Sequence, residues 1–387
     1  MKKICVITGS RAEYGLMSRL MRLIKEDNDL QLQIIATNMH LSPEFGLTYK
    51  EIESDGFTID KKVHMLLSSD TANATAKSVG IGIAGFADAY EDLKPDMIIV
   101  LGDRYEILAA VSAALFYKIP VTHLYGGEIT EGAYDDAIRH SITKMSHLHF
   151  TSTEEYRRRI IQMGENPETV YYVGALGCDN IRQVSLMNKE ELEKSLNFPV
   201  DRKTILVTFH PVTMESNTAE TQFKELLSAI DSFNDLRVVF TMPNSDTDSR
   251  IIMNLIKKYV AKNPQKAIWF TSLGMKRYLS VLQYIGAVVG NSSSGIAEVP
   301  SFHIPTLNIG DRQKGRIAAA SVLHSLPVED DIKKKLAMIT ESGYSESLKN
   351  VVNPYDKPNT AQEIVRIIKE RVNISVVKKF YDIAINK

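Results

Sequence analysis

Along most of the chain, short apolar runs of strand length alternate with longer stretches whose apolar residues recur every three or four positions. In the first half the runs are residues 4–7, 32–36, 97–101, 121–124, 148–151 and 170–173; in the second they are 204–209, 237–240, 268–271, 287–289 and 304–307. Between them Leu16, Leu20, Leu23 and Ile24 mark an amphipathic helix, as do Leu108, Val111 and Leu115, then Ile138, Ile142 and Met145, and later Phe223, Leu226, Leu227, Ile230 and Phe233. Residues 76–93 read as a helix with small residues along one face, which suits close packing. Strands that are apolar throughout belong to sheets covered by helices on both faces, and such sheets are parallel. The predicted fold is α/β, with two Rossmann-like, doubly wound domains facing each other across a cleft. The first covers residues 1–180 and the second 181–365, divided where the pattern changes near 176–200. Thr360-Ala361-Gln362-Glu363 reads as a capping box opening a last helix.

In such sheets ligands bind at the carboxyl ends of the strands, and here the turns at those ends are polar. Arg11 leaves the first run, and Gly102-Asp103-Arg104 follows residues 97–101. His123 through Glu128 leave the next strand, and Asp135, Asp136, Arg139 and His140 open the following helix. Carboxylates beside a histidine and arginines are what proton abstraction and return require. A solvated charged rim has the same composition, and an aspartate at position 103 also suits a helix N-cap. In the second half His210 follows a strand and precedes Pro211, which holds its backbone extended. Asn244 stands one strand over.

Residues 288–316 combine several signals. An apolar run ends at Gly290-Asn291, and Ser292, Ser293, Ser294 and Gly295 follow. A short helical segment carries Glu298; Pro300, another apolar run and a basic turn with Arg312 come next. Strand, Gly/Ser turn and helix start together offer N–H groups and hydroxyls to an anion. A phosphate there meets Ser292 and Ser293, Glu298 is placed to accept from ribose hydroxyls, and Arg312 to approach a base or phosphate. The plain alternative is a polar turn with an N-cap serine. The stretch is neither a P-loop nor a G-x-G-x-x-G fingerprint.

Composition narrows the function classes. A net charge of −1 over 387 residues argues against general nucleic-acid binding. No apolar run is long enough to span a bilayer, and the first residues lack a signal-peptide core. Two cysteines exclude a disulfide framework, and nine histidines show no ligand spacing, so neither a metal nor a cysteine cluster is expected. A reduced, cytoplasmic protein is the expectation.

Taken in order, TGSRAEYG (8–15), LGDRYE (101–106), GGE (126–128), YDDAIRHSITKMSHLH (134–149), TSTEEY (151–156), FHPVT (209–213), GNSSSGIAEVPS (290–301), NIGDRQKGR (308–316) and NPY (353–355) resemble the hydrolysing UDP-N-acetylglucosamine 2-epimerases of sialic-acid biosynthesis, the NeuC type. The epimerase domain of the animal bifunctional epimerase/kinase is similar at greater distance. The resemblance implies a fold of the glycosyltransferase-B type, with a C-terminal helix at 366–387 packing back on the first domain. It implies a homodimer joined through the first domain, a UDP sugar as partner, and no cofactor, metal, nucleic acid or membrane. It also implies a reaction: removal of the C2 proton with anti elimination of UDP to 2-acetamidoglucal, then addition of water to release N-acetylmannosamine.

Carried over by position, Arg11, Arg104, His210, Asn244, Ser292, Ser293, Glu298 and Arg312 bind the UDP sugar. Asp103, Glu128 and Asp135 are the acid/base candidates, Arg139 holds the carboxylates in place, and His210 also belongs to the catalytic set. Two positions depart from the pattern. Tyr125 stands where many relatives carry glutamate, and Gly15 where the animal enzyme has serine. No match to the animal enzyme's CMP-sialic-acid feedback site is present, so no such inhibition is expected. Alternatives are the same chemistry on UDP-N,N′-diacetylbacillosamine on the legionaminic-acid route, a non-hydrolysing 2-epimerase, a glycosyltransferase, and a non-catalytic nucleotide-sugar-binding protein.

Overall fold

The computed structural model describes residues 1–383 apart from Ser68, Asp70, Thr213, Ser216, Ser245, Thr247 and Ser342. Thr213 of the FHPVT motif and residues 384–387 of the expected terminal helix therefore lie outside the described residues. The chain forms two compact units, one of residues 1–128, 135–180 and 357–387, the other of 129–134 and 181–356. The short segment 129–134, inside the expected first domain, thus belongs to the second unit. The chain rejoins the first unit at Lys357, ahead of the expected 366.

Each unit is built on one parallel sheet. In the first, β1 (Lys2–Thr8), β2 (Leu30–Thr37), β3 (Lys61–Val63), β4 (Met97–Leu101), β5 (Val121–Leu124), β6 (Leu148–Thr151) and β7 (Val170–Tyr172) lie in the order β3-β2-β1-β4-β5-β6-β7. In the second, β8 (Thr204–Thr208), β9 (Arg237–Thr241), β10 (Ala267–Phe270), β11 (Ala287–Gly290), β12 (Thr306–Ile309) and β13 (Val322–Ser325) lie in the order β10-β9-β8-β11-β12-β13. The apolar runs become strands because both sheet faces are covered. Ile4 and Val6 of β1 pack on one face with Met17, Leu20 and Ile24 of the helix Arg11–Glu26. Cys5 and Ile7 point to the other face, against Phe86, Tyr90 and Ile107. The small residues expected on the long helix have their reason: a methyl on Gly82 would lie 3.0 Å from Ala109 Cβ and 2.8 Å from Met65 Cε. That helix spans Ala72–Leu93. Among the described residues no helix is long and apolar enough to cross a membrane.

Two expectations about the C-terminal region are corrected. The last helix runs Thr360–Arg371, and residues 374–383 are not helical. The capping box does not form: Thr360 is already the first helical residue, Asn359 holds the N-cap position without a side-chain cap, and the Thr360 hydroxyl donates instead to Val173 O at 2.7 Å. The helix still packs in the first unit, with Ala361, Ile364, Ile367 and Ile368 buried in the β1 core.

Beyond it the chain lies as a strap across the first unit. Tyr381 N donates to Gly164 O at 2.9 Å, and Lys378 Nζ donates to Lys144 O at 2.9 Å. Lys378 also meets the buried Glu165 carboxylate at 2.7 Å, which Lys144 approaches at 2.6 Å and His149 at 3.2 Å. Burial alone raises the pKa of Glu165, but these donors outweigh it and leave the carboxyl at about 2. Its contribution to stability is present above the ordinary value of 4.5 and is lost as pH falls through about 2. Lys378→Ala is expected to cost about 1.5–3 kcal/mol at neutral pH, the range for a charge-assisted hydrogen bond. Limited proteolysis should then cut faster within 374–383, and denaturant titration should show the lost stability.

Candidate active site

Strand order reverses between β1 and β4 in the first sheet and between β8 and β11 in the second. At such a switch point the connections leave in opposite directions and open a crevice at the carboxyl ends. Arg11 comes just after β1, and Asp103 and Arg104 just after β4. His210 comes just after β8, and Asn291 to Ser293 just after β11. Arg11, Asp103 and Arg104 therefore stand at the first unit's switch point and His210, Ser292 and Ser293 at the second's, while Glu128, Asp135 and Arg139 follow β5, Asn244 follows β9 and Arg312 follows β12.

In the first unit the buried Arg139 is the organising cation. It donates to the carboxylates of Asp103 and Asp136 and, at 2.9 Å, to the carbonyl oxygen of Glu128. Arg139 thus braces Asp103 and Asp136 by their side chains and Glu128 by its main chain. The Glu128 carboxylate is held by the Ser152 hydroxyl at 2.8 Å and is 4% exposed. Asp135 is buried at the start of the helix Asp135–Met145. Asp103 does not cap the following helix; Arg104 occupies the N-cap position, without a side-chain cap, which leaves Asp103 for Arg139. Arg11 pairs with Glu51 of the short helix Tyr49–Ser54.

Two neighbours are structural. His123 is fully buried, with Nε2 2.7 Å from Gly102 O and Nδ1 3.2 Å from the Thr143 hydroxyl. Burial pushes its pKa down to about 3, so it is neutral and fixes the turn that carries Asp103. Tyr125, at the position of the missing glutamate, packs against the β1 core, and its hydroxyl accepts from Gly177 N at 3.3 Å. Its φ of 66° is a conformation that non-glycine residues rarely adopt, and it redirects the chain into Gly126-Gly127-Glu128.

Two further carboxylates, not singled out from the sequence, lie at the same switch point. Glu13 Oε2 accepts from Gly9 N at 2.7 Å, and Glu106 Oε1 accepts from Arg104 Nε at 2.8 Å. Both are buried, Glu106 completely. Burial, then the charge of Glu106, pushes the Glu13 carboxyl up to about 8. The only sequence signal was the S-x-x-E spacing of Ser10 and Glu13, which reads as an ordinary helix cap.

In the second unit Asn291 is the hub. Its side-chain oxygen accepts from His210 N at 2.7 Å and its side-chain nitrogen donates to His210 O at 2.8 Å. Its carbonyl oxygen receives Arg312 at 3.1 Å and Gln313 at 3.0 Å. One fully buried asparagine thus ties the turns after β8, β11 and β12. His210 Nδ1 lies 3.4 Å from Asn244 N and 3.9 Å from the Asp246 carboxylate, so Asn244 and His210 are brought together. Ser292 is half-buried and Ser293 exposed, while Glu298 is buried. The α-helix behind these serines is only Ser294–Ala297, ended by a 3-10 turn from Val299 with Pro300 in it. The helix dipole expected there is correspondingly small, because the macrodipole sums over aligned peptides. The segment 129–134 also belongs here: Glu131 N donates to Lys314 O at 3.2 Å, and Met214 N to Gly132 O at 3.3 Å.

Substitutions at three positions probe these frameworks. A methyl on Gly290, whose φ is 129°, would stand 2.0 Å from Thr208 O. Gly290→Ala is expected to cost about 3 kcal/mol or more, through backbone strain and a forced parting of β8 and β11, measured by denaturation. Arg139→Ala is expected to cost about 3 kcal/mol, because partly buried carboxylates lose their counter-ion. Arg139→Lys should recover only part of this, since an ammonium cannot span the same acceptors. Glu13 is a carboxyl with a raised folded-state pKa. The folded protein holds a proton that the unfolded chain releases between 4.5 and about 8, so stability falls as pH rises through that window. Relative to wild type, Glu13→Gln is expected to gain stability across it, with a slope approaching about 1.4 kcal/mol per pH unit.

Comparison with known proteins converges on one family. The model described as UDP-N-acetylglucosamine 2-epimerase matches residues 22–369. A Campylobacter jejuni protein named GDP/UDP-N,N′-diacetylbacillosamine 2-epimerase (hydrolyzing) is 42% identical over 384 residues, 99% of each chain. The Escherichia coli polysialic acid biosynthesis protein P7 is 41% identical over 99% of this chain and 98% of its own. Among solved structures, the Neisseria meningitidis UDP-GlcNAc 2-epimerase bound to UDP-GlcNAc superposes with a TM-score of 0.78 at 20% identity, covering 96% of this chain and all of that one. That likeness establishes the fold, two parallel-sheet α/β domains of the glycosyltransferase-B type. With its full-length relatives and its matching family model, this chain belongs to the UDP-N-acetylglucosamine 2-epimerase family.

Proposed function

We propose that the protein is a cytoplasmic, hydrolysing 2-epimerase that converts UDP-N-acetylglucosamine and water into N-acetylmannosamine and UDP. The observation that carries this reading is the full-length similarity, at 41–42% identity, to the hydrolysing Campylobacter jejuni enzyme and to the Escherichia coli polysialic acid protein. The chemistry asks for what the strand ends offer. In the first step a carboxylate takes the C2 proton, the C2–H pair becomes the C1=C2 bond, and the C1–O bond to UDP breaks. In the second, water gives hydroxide to C1 and a proton reaches C2 from the opposite face, which inverts that centre. Oxidation state is unchanged overall, so the reaction is written with acid–base groups alone.

Asp103, Glu128 and Asp135 are assigned to the proton transfers, and Arg139 to bracing the turns that carry them. His210, Asn244, Ser292, Ser293, Glu298 and Arg312 are assigned to the UDP moiety, with Arg11 and Arg104 neutralising the departing diphosphate. His210 is also kept in the catalytic set, as a donor to the leaving group. The half-buried Tyr125 has no carboxylate to offer, so the work of a glutamate at that position is assigned to Glu128 or Asp135.

A second reading keeps the chemistry and changes the sugar. The name of the Campylobacter jejuni relative favours UDP-N,N′-diacetylbacillosamine, which differs from UDP-N-acetylglucosamine at C4 and C6.

The homodimer is part of the same proposal. Leu115, Phe116 and Tyr117 are exposed at the end of the helix Tyr105–Tyr117 in the first unit, an apolar cluster suited to self-association. Light scattering is expected to give twice the chain mass, reduced by Phe116→Glu; a monomeric wild type would refute it.

The decisive test is proton NMR of the protein with UDP-N-acetylglucosamine in deuterated water. Free N-acetylmannosamine with deuterium at C2, together with UDP, is the expected outcome. Turnover of only the diacetylbacillosamine nucleotide selects the second reading. UDP-N-acetylmannosamine as product would replace hydrolysis with non-hydrolysing epimerisation, and UDP binding without turnover would overturn both.

A further inference from the structure

The buried pair Glu13 and Glu106 is a feature that the proposed reaction does not use. Glu13 sits in the first turn of the helix after β1, Glu106 in the first turn of the helix after β4, and these strands flank the switch point. Gly9 makes room for the second: a methyl there would lie 2.5 Å from Glu106 Oε1 and 2.6 Å from its Cγ. One oxygen of each carboxyl has a donor, Gly9 N for Glu13 and Arg104 Nε for Glu106. The other two, Glu13 Oε1 and Glu106 Oε2, are buried and have no hydrogen-bond partner among the described residues. Two ionised carboxylates and one guanidinium would leave a net charge of −1 in a dry crevice, with two acceptors unsatisfied. One proton on the pair removes the excess charge and turns one of these oxygens into a donor.

The surrounding charges do not supply another solution. Arg11, on the same helix, is paired with Glu51. His40 is buried, its ring held between the hydroxyls of Thr8 and Thr48 at 3.0 and 2.8 Å, and burial lowers its pKa to about 4, so it is neutral. Glu106 and Arg104 are the charges that act on Glu13. Burial and the neighbouring carboxylate both favour the protonated form of Glu13, and Arg104 opposes it.

We infer that Glu13 and Glu106 share one proton and together act as a positioning pair for Arg104, keeping its ion pair with Glu106 electrically balanced so that the guanidinium can face a nucleotide diphosphate. When the proton is lost, an uncompensated negative charge lies beside Arg104, and an anionic ligand is repelled. The effect falls on ligand affinity, hence on KM more than on kcat. The Arg104 role rests on the 2-epimerase reading; the shared proton does not.

The experiment therefore has two arms, with wild type, Glu13→Gln and Glu106→Gln. Infrared spectroscopy should show the carbonyl band of a buried, protonated carboxylic acid at neutral pH in wild type. That band should vanish on alkaline titration and be absent from Glu13→Gln. Its absence from wild type, or its persistence in Glu13→Gln, overturns the shared proton. In the kinetic arm, kcat/KM of wild type for UDP-N-acetylglucosamine or the diacetylbacillosamine nucleotide should fall about tenfold per pH unit on the alkaline side, through KM. Glu13→Gln should move that limb to higher pH, whatever its plateau rate. Superimposable limbs overturn the positioning role. Lack of turnover of either nucleotide by wild type would sink the epimerase reading instead. Calorimetric UDP affinity then decides the pair: a decline with pH in wild type that Glu13→Gln lacks supports it, and parallel declines overturn it. If Glu13→Gln does not fold, Glu106→Gln, which also removes one of the two charges, should shift the same limb.

Discussion

Every strand pair in both sheets is parallel, and the site depends on that constraint more than on any single contact. Parallel strands all exit at one edge, so the polar turns of each unit collect there without any further instruction. The switch points then select which turns lie side by side. Around the first stand Gly9 to Glu13 and Gly102 to Glu106; around the second, His210 and Asn291 to Ser293. Burial of both sheet faces makes the strands stiff, and the stiffness is passed to the turns by a few buried polar groups. Asn291 joins three of them with its side chain and carbonyl, and Arg139 joins the turns after β4 and β5 with one guanidinium.

These polar groups differ in kind. The side-chain bonds of Asn291 are neutral, so they hold geometry at little electrostatic cost. Those of Arg139 and Arg104 are ionic, and burial makes them strong only while each charge has its partner. The first unit therefore stores its electrostatic tension where carboxylates outnumber cations, while the second holds its switch point through the neutral side chain of Asn291. A division of labour between acid–base work and nucleotide binding is consistent with that difference.

The central strands were legible because an apolar run between turn signals has few alternatives. The edge strands β3 and β13 were not: Lys61-Lys62-Val63 is too short and polar to resemble a strand, and pairs only because β2 offers a free edge. Asp103, Glu128, Asp135 and Arg139 were legible as a group, since polar residues after strands collect at one edge. Arg139 was expected to brace the carboxylates and does reach Asp103, but the Ser152 hydroxyl that holds Glu128 was not foreseen, because it leaves a different strand. Glu13 and Glu106 were hidden for the opposite reason, as their spacing matches helix starts on a solvent-facing surface. The capping box at Thr360 failed because the helix starts one residue early, with Asn359 as its N-cap and Thr360 inside the first turn. The segment after Ser293 is the short helix expected, but the dipole behind the serines was overestimated because the α-helix ends at Ala297, ahead of Pro300.

The helix Thr360–Arg371 contributes Ala361, Ile364, Ile367 and Ile368 to the core built on β1. On a ribosome these residues emerge only after the whole second unit has been made. The first unit, whose first strand starts at Lys2, therefore has an incomplete core until this helix has been made, whereas the second can close its sheet earlier. The order of completion is the reverse of the order of translation. A chain truncated near residue 356 would carry every acid–base candidate and yet leave the unit that holds most of them with an open apolar face.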